Sequence, residues 1–214
     1  MQITEVKTIG ILGAGRVGTA IARRAIAAGY AVKIATSKSP EEIALLLEIM
    51  VPGAVAATAQ DAIAESDIVI LALPLSKYRQ LQPELLAGKI VIDAMNYWAP
   101  TDGTIPEFET EASSSEVVQK FLPQSRLVRS FNHMGYHEID EEACPKGDSE
   151  RRALAIAGDD MDARQTVAHF IDRIGFDPVD AGSLASSRLF ATGTPVFGAS
   201  LTRDTMADAL QQTV

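Results

Sequence analysis

The sequence predicts an α/β fold in which a doubly wound parallel sheet is covered by helices on both faces. Three observations predict it. A β-branched run, Thr8 to Leu12, ends in the turn Gly13-Ala14-Gly15-Arg16-Val17-Gly18 and is followed by apolar residues at helical spacing. Short apolar runs then alternate with helical stretches along the chain, as strands joined by crossover helices do. The run Ile68-Val69-Ile70-Leu71-Ala72-Leu73 is apolar at every position, which a strand covered on both faces requires.

Taken in order, Val17, Ala20, Ile21 and Ala25 mark the first helix, which Gly29-Tyr30 stops. Ala31 to Ala35 is a second strand, set parallel to the first by a right-handed crossover. The next helix has a start signal in Ser39, Pro40 and Glu42, a capping box with proline at the first helical position, and an apolar face through Ile43, Leu46, Leu47 and Met50. A weaker strand, Ala54 to Ala57, precedes a short helix, Ala59 to Glu65, and the buried run from Asp67 to Leu73, which Pro74 ends. Lys89 to Ala94, Leu127 to Phe131 and Ala153 to Ala157 repeat the strand pattern, with helices near Val117 to Phe121 and Ala163 to Ile174. Tyr97 to Ser115 is rich in Pro, Thr, Ser, Gly and Glu and reads as a long loop, either an active-site flap or a locally mobile segment. The last twenty residues, from Pro195, show little periodicity and read as a tail packed on the body or on a partner.

Composition narrows the classes. At 214 residues and 47% hydrophobic, the chain suffices for one buried core with a small C-terminal α/β extension, not for two large domains. A net charge of -9 repels phosphate backbones and anionic lipid, so neither nucleic acid nor membrane is an expected partner. The single cysteine, Cys144, forms no internal disulfide, and with His133, His137 and His169 it has no zinc-ligand spacing. No metal is expected. The first apolar run is too short for a signal peptide or a membrane span. The expectation is a soluble cytoplasmic protein.

The spacing Gly13-x-Gly15-x-x-Gly18 carries the first chemistry. The first glycine permits a tight turn, the second lets backbone approach a pyrophosphate, and the third lets helix and strand pack closely. The helix that follows presents unpaired N–H groups and a positive dipole end, and Arg16 either reinforces phosphate binding or is solvated. This is a Rossmann-type dinucleotide site, expected in residues 1–122, with 123–214 forming an acceptor-site or dimerisation portion of the same compact fold. NAD sites place a carboxylate at the end of the second strand. Here stand Thr36, Ser37 and Lys38, two hydroxyls and an ammonium suited to the 2′-phosphate of NADP(H), or alternatively a polar turn leading into the next helix. Leu73-Pro74 and Ala94-Met95-Asn96, at the carboxyl ends of two further strands, are candidate walls for the nicotinamide ribose.

With these pieces in place the chain resembles the NADP oxidoreductase, coenzyme F420-dependent family, and is also similar to the reductase domain of the STEAP metalloreductases. The likeness is carried by Ile11 to Gly18, Ala35 to Lys38, Val91 to Asn96, Val128 to Asn132, Ala157 to Asp160 and, most specifically, Gly175 to Leu184 with Ser187-Arg188-Leu189. It implies hydride transfer between NADP(H) and a deazaflavin (F420) or a flavin such as FMN or FAD, with the cofactors supplying the reactive chemistry. Among Asn132, His133 and His137, Asn132 then orients the carboxamide or acceptor ring and His133 donates to a developing anion, or the two histidines are structural hydrogen-bonders beside a turn. Tyr97 and Trp98 either form a stacking wall for the acceptor or anchor their loop. After Leu189 the family pattern continues as an apolar helix, whereas here Ala191 to Gly198 breaks helicity. Two other readings compete: reduction of a small carbonyl or imine compound with His133 as proton donor, and a non-catalytic NADP(H) sensor. The apolar residues of the tail, with the resemblance, point to a homodimer.

Overall fold

In the computed structural model, residues 5–110 and 112–212 are described. The first half builds β1 (Thr8–Leu12), α1 (Arg16–Ala27), β2 (Ala31–Ala35), α2 (Pro40–Met50), β3 (Val55–Ala56), α3 (Ala59–Ala64), β4 (Ile68–Leu71) and β5 (Ile90–Asp93). There follow α4 (Ala99–Asp102), α5 (Ser114–Phe121), β6 (Arg126–Arg129), α6 (Tyr136–Glu141), β7 (Ala153–Ile156), α7 (Met161–Ile174), β8 (Asp177–Asp180) and α8 (Arg203–Gln212). Six parallel strands make the main sheet in the order β3-β2-β1-β4-β5-β6, the Rossmann arrangement with its reversal between β1 and β4.

Alternation along each strand fills both faces. Ile9 and Ile11 of β1, Ile68 and Ile70 of β4 and Ile92 of β5 pack with α1, α2, α6 and α7 on one side. Leu12, Val69, Leu71 and Val91 pack with α3 and α5 on the other. That is why these strands read as continuous apolar runs. The start of α2 is built as its sequence predicts, the Ser39 N–H donating to Glu42 Oε2 at 2.9 Å. Its apolar face is narrower: Ile43 and Leu47 are buried, while Leu46 and Met50 stay about half exposed beside the exposed Leu45 and Ile49.

The C-terminal region departs most from the sequence reading. The strand after α6, β7, joins a separate two-stranded parallel sheet with β8, attached to the main sheet through an antiparallel bridge between Arg129 and Ala157. β8, Asp-Pro-Val-Asp, lacks a strand pattern; as an edge strand it tolerates Pro178. The strand expected to reach Phe131 ends at Arg129, because Phe131 adopts φ 64°, a left-handed conformation no strand continues through. The tail is not irregular: its second half is α8, and Val196, Met206 and Leu210 are buried against β7 and β8. Met206 and Leu210 are four apart, enough for one helical face but too few to reveal a period. Three of the apolar tail residues that suggested a homodimer, Val196, Met206 and Leu210, are thus covered within the chain, while Phe197 and Leu201 stay part-buried.

The segment from Tyr97 to Ser115 holds α4 and a 3-10 turn, Pro106–Phe108. It is anchored by the buried Phe108, whose ring meets Tyr78 and Tyr97 at centroid distances of 5.5 and 5.3 Å. Among the described residues, no helix is long and apolar enough to cross a membrane.

Candidate functional site: a dinucleotide cleft

The cleft lies where the sheet order reverses, at the carboxyl ends of β1, β2 and β4. β1 feeds into Gly13 at φ 123°, and the Gly13 N–H donates to the Ala35 carbonyl at 2.8 Å, tying the turn to the end of β2. A Cβ on Gly13 would run into the Ala72 carbonyl, and one on Gly18 into the Gly13 carbonyl. A Cβ on Gly15 meets nothing, so Gly15 is bare for a different reason: it borders open space. The three glycines therefore divide into two that close packing demands and one whose missing side chain keeps a cradle free.

Gly15 is also the N-cap of α1, with no side-chain cap and no acidic residue in the first turn. The positive helix end is left to an anion. Arg16 does not line the cleft; its guanidinium lies over the Tyr136 ring at 5.2 Å and donates to the Tyr136 hydroxyl at 3.1 Å.

The cleft has a volume of about 440 Å³. Gly13, Ala14, Gly15, Thr36, Ser37, Leu73 and Pro74 all line it, so residues chosen from three separate strand ends meet on one surface. Val17, Gly18 and Lys38 are not on its wall: Gly18 is buried beneath the turn and Lys38 stands exposed just past Ser37. Sequence reasoning missed Lys77, Gln80 and Leu81, which line the opposite side from the 3-10 turn Leu75–Gln80 and its end. Pro74 was their signal, since it caps that turn and folds Lys77 back toward the strand end. The bare Gly15, the uncapped α1 and the lone cation Lys77 suit an anionic dinucleotide.

At the β5 end, Ala94 and Met95 are buried and Asn96 is part-buried. None of the three lines this cleft. The Asn96 side chain donates to the Asn132 carbonyl at 2.7 Å and accepts from Arg129 Nη2 at 3.0 Å, bracing β5 against β6.

Asn132 and His133 occupy a buried position, not an open one. The Asn132 side chain donates to the Phe190 carbonyl at 2.9 Å. His133 Nε2 accepts the Ala155 N–H at 3.1 Å, which leaves the ring proton on Nδ1, 3.3 Å from Asn132 Oδ1. Burial, then the charges of Arg129 and Arg152, push the His133 pKa down to about 3. With Nε2 taken by the Ala155 N–H, Nδ1–H facing Asn132 and the ring off the cleft wall, the geometry favours the structural reading of His133 over the proton-donor one. Asn132, equally enclosed, ties the segment after β6 to the Phe190 carbonyl. His137 is exposed and stacks on Tyr136 with centroids 4.0 Å apart. Tyr97 is a loop anchor: its hydroxyl accepts from the Ile105 N–H at 3.0 Å and donates to Glu109 Oε1 at 2.6 Å. Trp98 is 53% exposed.

Comparison with known proteins agrees with this geometry. Residues 8–97 match the family described as NADP oxidoreductase coenzyme F420-dependent. The chain is 30% identical to metalloreductase STEAP3 of Rattus norvegicus over 187 residues, 86% of this chain but 36% of that protein. It thus spans about a third of the length of the curated relatives it matches. Among solved structures, a hypothetical protein of Sinorhizobium meliloti superposes with a TM-score of 0.80 at 28% identity, covering 94% of this chain and 97% of that one. A candidate F420-dependent NADP-reductase of Arthrobacter shares the fold with a TM-score of 0.71 at 22% identity, over 86% of this chain and 88% of that one. The likeness to the NADP oxidoreductase, coenzyme F420-dependent family thus covers residues 8–97, the stretch that builds the cleft.

Proposed function

We propose that this chain binds NADP(H) in the cleft and catalyses hydride transfer between NADPH and a deazaflavin or flavin. The observation that carries the reading is the convergence on one surface of the open α1 terminus at Gly15 and the hydroxyls of Thr36 and Ser37, with no carboxylate among the lining residues. The α1 N–H groups hold the diphosphate, and Arg16 on its Tyr136 platform stands beside it. Thr36 and Ser37 hold the 2′-phosphate, with Lys38 adding its charge from just outside the cleft wall; Leu73 and Pro74 hold the ribose, and Ala94, Met95 and Asn96 shape the nicotinamide end. When bound, NADPH supplies the hydride and the acceptor ring receives it.

A planar acceptor needs a flat apolar neighbour and orientation more than acid or base. The exposed Trp98, two residues past Asn96, provides that neighbour. The carbonyl or imine reading relied on His133 as proton donor, and the burial of His133 removes its support. The test mixes the purified protein and NADPH with oxidised F420, FMN or FAD and follows NADPH absorbance, with NADPH binding measured separately by calorimetry. Turnover with a deazaflavin or flavin is expected. Tight binding with no oxidation by any of the three would overturn the enzyme reading in favour of a sensor.

A further inference from the structure

Lys77 is the one charged residue among those described as lining the cleft. Its ammonium has no hydrogen-bond or ion-pair partner among the described residues, in a chain where net charge is -9 and acidic partners abound. The nearby Arg79 pairs with Glu107 and Lys33 of β2 with Glu65, whereas Lys38 shares the lack of an ammonium partner among the described residues but stands off the cleft wall. An unpaired lysine on the wall of a concave site, inside an otherwise anion-repelling field, is a local reversal of sign.

Topology places that charge. β2 and β4 flank β1, so the residues after β2 and those after β4 stand on either side of the glycine turn, two strand spacings or about 10 Å apart. Thr36 and Ser37 are on the β2 side, and Lys77 is on the β4 side. A four-carbon stem with three rotatable donors reaches across most of such a gap.

We propose that Lys77 is a specificity-determining residue that closes on the 2′-phosphate of the dinucleotide from the wall opposite Thr36 and Ser37. This rests on the NADP(H) reading above and extends it. Lys38, outside the cleft wall, then supplies long-range attraction, whereas Lys77 supplies the direct contact.

The experiment is calorimetric binding of NADPH, NADH, 2′,5′-ADP and 5′-AMP to the unaltered protein, Lys77→Gln and Lys77→Arg. Lys77 is exposed and unpaired, so both variants should melt with the unaltered protein. Lys77→Gln should weaken NADPH and 2′,5′-ADP about tenfold, the size expected of one charge-assisted contact. NADH and 5′-AMP should change less than about twofold, and Lys77→Arg should retain most of the NADPH affinity. Equal weakening of all four ligands would overturn the proposal by placing Lys77 on a group they share, and unchanged affinities would overturn it by showing no contact. Failure of the unaltered protein to bind either NADPH or 2′,5′-ADP would instead sink the cofactor assignment on which the proposal stands.

Discussion

Asp93 and Arg129 are register partners at the carboxyl ends of β5 and β6, and their side chains form a buried ion pair with Arg129 Nη1 3.0 Å from Asp93 Oδ2. Asp93 also accepts the Ser115 hydroxyl at 2.7 Å and the Met95 N–H at 3.0 Å, while Arg129 reaches Asn96. Burial lowers the Arg129 pKa against the opposing pull of Asp93, yet a guanidinium stays charged. Removing the carboxylate alone leaves that charge without its partner. Asp93→Ala should therefore destabilise the fold by about 3–5 kcal/mol in urea denaturation, and adding Arg129→Met should restore a substantial part. A loss below about 1 kcal/mol for Asp93→Ala would mean that water reaches the guanidinium.

The glycines of the turn should separate stability from binding. Gly13→Ala forces a side chain into φ 123° and against the Ala72 carbonyl, and should cost about 2 kcal/mol or more. Gly15→Ala meets open space and should cost no more than about 1 kcal/mol as an N-cap change, while weakening NADPH binding at least tenfold or so. Thermal melts and NADPH titrations of the two variants check this. Equal effects of both variants on stability and affinity would contradict the division.

The buried His133 makes stability depend on pH. Its folded pKa, about 3, lies below the ordinary value of 6.5, so the unfolded chain binds the extra proton. The neutral form's stability is present above pH 6.5 and is lost progressively as pH falls toward 3. Between pH 7 and pH 5 this group alone should remove about 2 kcal/mol. His133→Gln keeps an acceptor but does not titrate, so its denaturation midpoint should fall less between those pH values. Identical pH slopes for the two proteins would show that His133 is hydrated.

Trp98 offers a readout confined to the acceptor. Trp98→Ala should leave NADPH affinity within about twofold and raise the KM for a flavin or deazaflavin by roughly tenfold, as expected on losing a stacking face. A matching loss of NADPH affinity would place Trp98 at the dinucleotide instead.

The Rossmann sheet was legible because its causes are local. An all-apolar run, a glycine where φ must be positive, and a Ser-Pro-x-Glu start are each set by residues a few positions apart, and Gly13, Gly15, Gly18, Thr36 and Ser37 followed from them. The second sheet was less so, since Asp177-Pro178-Val179-Asp180 carries no strand pattern and pairs only because β7 lies beside it. What the sequence could not decide was which side chains face the cleft and which face the core. His133 and Lys77 look equally polar in a string of letters. Strand order then buries the first under β7 and leaves the second on the wall of the cleft, because burial and charge pairing depend on neighbours far apart in the chain that only the folded sheet brings together.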